Sequence, residues 1–195
     1  KLAKKYGHRG TIGFVNGVLR NINRNLNKIV YPNFRENPVK HLSIYYSFPN
    51  WLVERWVRNF GLENTQKLCE YFNSPSPLWI RANTLKISRE ELKENLLKEN
   101  IAIRESEKTP EGLKLVGNVN INNLSSFKQG LFIVQDESSM LVSHCLNPQP
   151  GQIIIDSCSA PGGKTTHLAQ LMDNKGKIIA LDIHEHRLNL IKENS

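Results

Sequence analysis

Apolar side chains recur three or four positions apart through the first 30 residues. They stand at Ile12, Val15, Leu19, Ile22, Leu26 and Ile29. This period places them on one stripe, so we expect a helix that packs inside a helical domain. The dipeptides Tyr31-Pro32 and Asn37-Pro38 interrupt the stripe and predict a linker.

Residues 36–74 predict a pair of helices. Pro49 suits a first helical turn, and Gly61 suits the position just after a helix. Between them lies an apolar face made by Leu52, Val53, Trp56, Val57 and Phe60. A second helix is expected over Lys67 to Phe72, and the loop from Asn73 to Pro77 is the clearest domain boundary.

Residues 75–130 have the pattern of a small α/β unit. Leu78 to Ala82 predicts a strand, and Ser88 with Glu91 has the spacing of a helix capping box. Further short strands are expected at Ile101 to Ile103 and at Leu113 to Val116. A sheet with one open face can bind RNA, here through Arg81, Lys86 and Arg104. The alternative is that this unit only supports the domain that follows it.

From residue 131 the pattern becomes that of strands alternating with helices. Leu131 to Val134 predicts a strand and Asp136 an N-cap for the helix Glu137 to Leu146. The run Ile153 to Ile155 is β-branched, as in a strand covered on both faces. It is followed by elements expected at Lys164 to Met172 (helix), Ile178 to Leu181 (strand) and Glu185 to Asn194 (helix). The alternation indicates the α/β class.

The loop between Ile155 and the next helix is the best candidate for a ligand site. Gly162 and Gly163 let the backbone turn sharply and come close to a ligand. The first amide groups of the following helix would face that ligand. Asp182 follows the next strand, where a carboxylate can accept hydrogen bonds from both ribose hydroxyls.

Three ligand classes could suit this loop. A P-loop needs a glycine where Cys158 stands, and Pro161 removes one backbone N–H that would cradle phosphate. A dinucleotide site needs Gly-x-Gly-x-x-Gly, which this loop lacks. A nucleoside without pyrophosphate, such as S-adenosylmethionine, needs neither feature and fits best.

Charge and cysteine usage narrow the class of protein. The net charge is +8, and eight basic residues precede the first acid, Glu36, so the rest of the chain is neutral overall. A basic N-terminal arm can contact RNA phosphates or can be the basic surface of a helical domain, and charge alone does not decide between the two. Three scattered cysteines indicate neither disulfides nor a metal pair, and no apolar run is long enough to cross a bilayer. We therefore expect a cytoplasmic protein with no metal site.

The string from Asp156 to Thr165 closely resembles the first motif of the RNA (cytosine-5) methyltransferase family, with Ser159 where the family usually has alanine. Three further segments resemble that family in the same order. They are Phe14 to Ile22, Leu78 to Leu85 and Gly130 to Ser139, which look like the end of a NusB-like helical domain, the first strand of an RNA-binding subdomain and the entry to the catalytic domain. This arrangement is similar to the bacterial 16S ribosomal RNA methyltransferase B group, of the Sun or Fmu type.

The resemblance implies a domain order and a fold. Residues 1–35 would be the C-terminal end of a NusB-like domain, 36–74 a helical linker, 75–130 a small α/β RNA-binding subdomain and 131–195 the first part of a Rossmann-like methyltransferase domain. The fold class would be α/β. The expected partner is 16S ribosomal RNA, and the expected oligomeric state is a monomer.

The resemblance also implies a cofactor and its site. S-adenosylmethionine would be held by Cys158, Ser159, Ala160, Pro161, Gly162, Gly163, Lys164 and Asp182. Arg187 would be a further contact, and Gln135 and Asp136 would lie near the active site. We expect His167 to be a satisfied packing histidine, and we assign no chemistry to His144, His184 or His186.

Members of the family use one cysteine to attack C6 of cytosine, which activates C5, and a second to assist release. Those cysteines follow threonine and proline, whereas Cys69, Cys145 and Cys158 follow leucine, histidine and serine. We therefore expect the chain to be the front part of a longer enzyme, with the nucleophile beyond Ser195 and no catalytic residue present. The alternatives left open are a P-loop nucleotide hydrolase and a non-catalytic RNA-binding or ribosome-assembly module.

Overall fold

The computed structural model describes the backbone of residues 1–194 and the side chains of residues 1–192. The helices are α1 (Leu2–Tyr6), α2 (Arg9–Asn25), α3 (Pro38–Tyr46), α4 (Asn50–Phe60), α5 (Leu62–Asn73), α6 (Arg89–Lys98), α7 (Ser125–Lys128), α8 (Glu137–Leu146), α9 (Gly163–Leu171) and α10 (Glu185–Asn194). The strands are β1 (Leu78–Ala82), β2 (Ala102–Glu105), β3 (Gly112–Val116), β4 (Phe132–Val134), β5 (Ile153–Asp156) and β6 (Lys177–Ala180). Short 3₁₀ turns occur at Leu26–Lys28 and Ile121–Asn123. The fold is α/β, as predicted, and its compact units are residues 1–75 and 76–195.

In the first unit, α3, α4 and α5 pack against one another. Leu42, Val53 and Cys69 are buried between them. The rings of Trp56 and Phe72 stack with centroids 5.6 Å apart, so Trp56 is a packing residue, as its helical spacing predicts. Gly61 ends α4 with φ of +78°, which glycine tolerates without strain.

The helix predicted for the first 30 residues is present, but its packing is not as predicted. The segment is broken at Gly7 and His8 into α1 and α2, and neither helix contains a buried residue. Leu19 and Leu26 are 58% and 54% exposed. Within the described residues, α2 contacts mainly α1 and the 3₁₀ turn Leu26–Lys28. Both segments are too short to cover the apolar stripe of α2.

The second unit begins with a four-stranded antiparallel sheet in the order β2-β3-β1-β4. Helix α6 begins with the predicted capping box of Ser88 and Glu91. Its Leu92 and Leu96 are fully buried with Ile80 and Leu113 of the sheet. Because side chains alternate along a strand, Arg81 points to the face of β1 opposite to this core.

The remainder of the unit contains a parallel strand pair, β5 and β6, connected through α9. A parallel pair needs such a crossover, and the strand–helix–strand order is the predicted one. However, Ile153 and Ile155 are 71% and 65% exposed, so the expectation that β5 is covered on both faces is wrong for the described chain. Ile154 and Ile178, which are paired in register, are half-buried, as are Asp156 and Ala180 at the ends of the two strands.

Candidate functional site

The loop after β5 and the end of β6 meet at one edge of the parallel pair. Strand β5 ends at Asp156, and α9 begins at Gly163 after Gly162 adopts φ of +101°. Because parallel strands end on the same side, Asp182 is brought beside the loop. The backbone N–H of Ala160 donates to Oδ2 of Asp182 at 3.2 Å. The structure therefore brings the loop and Asp182 together, as the sequence predicts.

Backbone amides of the loop are already occupied by protein acceptors. The donor–acceptor pairs are Cys158 N to Asp156 Oδ1 (3.4 Å), Ser159 N to Leu181 O (2.9 Å), Ala160 N to Asp182 Oδ2 (3.2 Å) and Gly162 N to Ser159 O (2.7 Å). Pro161 has no N–H to donate. A phosphate cradle needs several inward-pointing free amides, and this loop does not offer them before α9 begins.

The side chains of the loop also differ from those of a P-loop in what they bind. The hydroxyl of Thr165 donates to Oδ2 of Asp156 at 2.7 Å, whereas a P-loop uses the equivalent hydroxyl to ligate Mg²⁺. Lys164 and Cys158 are exposed. The free amides nearest the loop are those of the first turn of α9, which have no acceptor within the helix.

Ser159 plays a structural part in this arrangement. It is buried, and its hydroxyl donates to the carbonyl of Leu181 at 2.7 Å. The same carbonyl accepts from the backbone N–H of Ser159. The residue therefore ties the loop to the end of β6, and its hydroxyl is not available to a ligand.

Asp182 is a fixed carboxylate with free acceptor capacity. Its Oδ1 accepts from the backbone N–H of His184 at 3.0 Å, and its Oδ2 accepts from Ala160. The hydrogen bond from His184 lowers the pKa of Asp182, and the bond from Ala160 and the nearby positive charge of Arg187 act in the same direction. Each oxygen keeps a further lone pair, so the ionised group can accept ribose hydroxyls.

Arg81 was expected to contact RNA, but the structure places it elsewhere. It is 3% exposed, because α8 and α9 cover the outer face of β1. Its Nη1 donates to Oε1 of Gln135 and, at 2.7 Å, to the carbonyl of Gly163, while Nη2 donates to the hydroxyl of Thr166 at 3.0 Å. Burial lowers the pKa of Arg81 to about 10, opposed by Glu111, so the guanidinium remains charged at neutral pH.

A second buried polar group joins β3 to α8 and α9. Oε1 of Glu111 lies 2.9 Å from Nε2 of His144 and 2.7 Å from Nε2 of His167. Burial raises the pKa of Glu111, but the polar contacts with His167 and His144 outweigh it and bring the value to about 2. Burial lowers the pKa of His167, which favours its neutral form.

These contacts correct the sequence interpretation of both histidines. His144 has a carboxylate partner 33 residues away in the chain, a separation that no local spacing could have shown. His167 is fully buried as expected, but neither of its ring nitrogens has a well-aligned hydrogen bond. The donor atoms of this trio lie within 4.8 Å of one another, as metal ligands do. However, the charge of Arg81 already acts on His167, so a divalent cation would add to a buried positive charge.

A separate cavity of about 680 Å³ lies between the antiparallel sheet and the α9–β6 region. Residues lining it include Arg81, Lys86, Phe132, Thr166 and Ile178. None of the eight nominated cofactor residues lines it. Asp136 also lies outside it and caps α8 through Ser138, at 2.8 Å from the backbone N–H. The capping prediction for Asp136 is therefore confirmed.

Comparison with known families gives two matches, separated by residues 123–142. Residues 48–122 match the model described as Methyltr_RsmF/B-like, ferredoxin-like domain. Residues 143–195 match the model described as 16S rRNA methyltransferase RsmB/F. The helices α4 and α5 thus fall within the ferredoxin-like match, together with strands β1, β2 and β3 of the antiparallel sheet.

Comparison with individual proteins agrees with the family matches. The chain is 39% identical over 195 residues to the probable ribosomal RNA small subunit methyltransferase B of Bacillus subtilis, covering 99% of this chain and 42% of that protein. A crystal structure of a methyltransferase homolog protein from Pyrococcus horikoshii is 33% identical, with a TM-score of 0.74 over 81% of this chain and 52% of the other. The structure of NSun6 from Pyrococcus horikoshii with SFG is 27% identical, with a TM-score of 0.69 over 75% and 62%. The chain spans about two-fifths of the length of the curated relative.

Proposed function

Because this chain belongs to the RsmB/F family of 16S rRNA methyltransferases, we propose that the loop 158–164 and Asp182 bind S-adenosylmethionine. The observation that carries the proposal is the occupation of the loop amides by protein acceptors next to a fixed, ionised carboxylate. That combination suits a nucleoside with a ribose and no pyrophosphate. The related NSun6 was solved with SFG, which is an analogue of S-adenosylmethionine.

Each nominated residue has a task that follows from its place. Gly162 and Gly163 turn the backbone so that the loop can approach the ligand closely. Ser159 fixes the loop to the end of β6 through Leu181. Asp182 accepts the ribose hydroxyls, and the exposed Cys158, Pro161 and Lys164 border the ligand. Ala160 completes the loop through its hydrogen bond to Asp182.

When bound, S-adenosylmethionine supplies an activated methyl group on its sulfonium. The protein then mainly has to position that methyl against the acceptor atom. We propose that the acceptor is C5 of a cytosine in 16S ribosomal RNA. C5 becomes nucleophilic after a cysteine adds to C6, and we place that cysteine in the segment that follows residue 195 in the family. Cys69 is buried in α5, and Cys145 and Cys158 lack the threonine or proline context.

The parts that precede the site are assigned to RNA binding. We propose that residues 1–35 belong to a NusB-like domain, that 36–74 link it to the small α/β subdomain of 75–130, and that 131–195 begin a Rossmann-like methyltransferase domain. The exposed Arg104 and Lys86, together with the basic N-terminal arm, are the proposed phosphate contacts. Within the described chain, no helix is both long and apolar enough to cross a membrane. We propose a cytoplasmic monomer.

Isothermal titration with S-adenosylhomocysteine and with Mg-ATP tests the cofactor against the P-loop alternative. We expect heat from S-adenosylhomocysteine binding and none from Mg-ATP. Mg-ATP binding without S-adenosylhomocysteine binding would overturn the proposal in favour of a nucleotide hydrolase. The occupied loop amides and the Thr165–Asp156 hydrogen bond favour the first result.

A methyl-transfer assay separates the enzyme from a non-catalytic RNA-binding module. Its sample is a protein that carries this chain together with the methyltransferase segment that follows it in the relatives, and its substrates are labelled S-adenosylmethionine and 16S ribosomal RNA. We expect labelled 5-methylcytosine after digestion of the RNA. RNA binding without any methyl transfer would support the module instead.

A further inference from the structure

We propose that Arg81, which lies in the ferredoxin-like part of the chain, is a positioning residue for the cofactor loop. The inference deepens the proposed function and rests on it. Arg81 is not among the residues proposed to contact the cofactor. It acts through two peptide groups that it holds at the start of α9.

The first of these peptide groups joins Gly163 to Lys164. Its carbonyl accepts from Nη1 of Arg81 at 2.7 Å. In a trans peptide the C=O and N–H bonds point in opposite directions. The carbonyl lies on the guanidinium side, so the N–H of Lys164 is directed away from Arg81, and in the first turn of a helix this N–H has no helical acceptor. Arg81 therefore sets the direction of an amide available to a ligand.

The second peptide group joins Gly162 to Gly163. Its carbonyl accepts from the hydroxyl of Thr166 at 2.9 Å, and that hydroxyl is itself held by Nη2 of Arg81 at 3.0 Å. The same geometric argument fixes the N–H of Gly163. These hydrogen bonds matter because Gly162 and Gly163 lack a Cβ, so the peptide planes beside them rotate more freely than those of other residues.

The positive charge of Arg81 does not itself favour its position at the start of α9. A helix N-terminus carries partial positive charge, so a guanidinium beside it is repelled. Arg81 is also almost fully buried, and its Nε has no hydrogen-bond partner among the described residues. Desolvating a guanidinium is costly, and an apolar residue would fill the space without that cost. What arginine adds is its planar fork, which holds several acceptors at once.

Gln135 is a further acceptor for the guanidinium and shares Nη1 with the carbonyl of Gly163. Its Oε1 accepts from Nη1 of Arg81. A Cβ built on Gly163 would meet the amide carbon of Gln135 at 3.8 Å, an ordinary contact. The start of α9 is thus held by side chains from β1 and from the segment between β4 and α8, both outside the β5–α9–β6 unit.

The test is S-adenosylhomocysteine titration of Arg81→Met, Arg81→Lys and Thr166→Val, with Arg58→Met, at an exposed position of α4, as the matched control. We expect the Kd to rise about tenfold for Arg81→Met, the scale of one lost hydrogen-bonded constraint. Thr166→Val should weaken binding severalfold, and Arg81→Lys should fall between Arg81→Met and the parent. Arg58→Met should bind as the parent does.

A purely structural role is distinguished by measuring the melting temperature beside the Kd. Arg81→Met with a lowered melting temperature and an unchanged Kd would overturn the proposal. If Arg81→Met does not fold, Thr166→Val decides, because it removes one hydroxyl and keeps the volume of the side chain. An unchanged Kd for Thr166→Val would then be the contrary result. Absence of binding by the parent protein would instead refute the proposed function.

Discussion

Glu111 and His167 lie in contact across the junction between β3 and α9, with Oε1 and Nε2 2.7 Å apart. Both side chains are almost completely buried. His144 of α8 adds a second contact to the same carboxylate. Together with Arg81, this carboxylate connects the antiparallel sheet to helices α8 and α9, and α9 follows the loop that we propose binds the cofactor.

Replacing Glu111 by glutamine is expected to destabilise the protein by about 1–3 kcal/mol, because it leaves buried imidazole groups without their charged partner. Urea unfolding followed by circular dichroism measures the difference. Glu107→Gln is the matched control, since Glu107 is exposed four residues away. Equal unfolding midpoints for the two variants would show that the buried carboxylate contributes nothing.

The free energy of unfolding should decrease on acidification, because the native pKa values of Glu111 and His167 are both lowered. The native pKa of His167 is lowered by burial and that of Glu111 is held at about 2. The unfolded chain therefore binds protons at a higher pH than the native protein does. The contribution of His167 is complete above about pH 6.5 and declines below it. That of Glu111 is complete above about pH 4.5 and is lost as the pH falls towards 2.

The corresponding experiment compares the free energy of unfolding at pH 7.5 and pH 5.5. We expect the parent protein to be less stable at pH 5.5 and His167→Gln to show a smaller difference, since glutamine does not titrate. The exposed His186→Gln is the control and should retain the slope of the parent. An identical slope for His167→Gln would contradict the assignment of this pH dependence to His167.

Asp182→Asn should weaken S-adenosylhomocysteine binding about tenfold, because the charge that strengthens hydrogen bonds from the ribose is lost. Calorimetry gives the Kd directly. Asp173→Asn, at an exposed position whose φ of +52° suits asparagine, is the matched control. Equal affinity for both variants would remove Asp182 from the site.

Ser159→Ala tests the division between scaffold and ligand contact within the loop. The lost hydrogen bond to Leu181 should lower stability by about 0.5–1.5 kcal/mol. Cofactor affinity should stay within about twofold, because the hydroxyl is already bound to the protein. A large loss of affinity with unchanged stability would mean that the hydroxyl contacts the ligand.

The features that were predictable from the sequence are those that depend on neighbours in the chain. The capping box of Ser88 and Glu91, the Asp136 cap and the glycine turn at Gly162 are of this kind. The position of Asp182 beside the loop was also predictable, because parallel strands end at the same edge. The local sequence pattern therefore predicted the loop and the position of Asp182, which form the candidate cofactor site.

The features that were missed depend on packing between distant segments. Arg81 alternates with core residues along β1, so its face looked open to RNA, yet α8 and α9 cover it. Glu111 and His144 are brought together by the same packing. The exposure of Ile153 is a related case, since a run of isoleucines indicates a strand but not how many faces are covered.

A crystal structure of the protein soaked with S-adenosylhomocysteine tests the central claim most directly. The account predicts nucleoside density against the loop 158–164, with the ribose hydroxyls within hydrogen-bond distance of the Asp182 carboxylate. Density in the 680 Å³ cavity beside Phe132, with the loop and Asp182 bare, would contradict it.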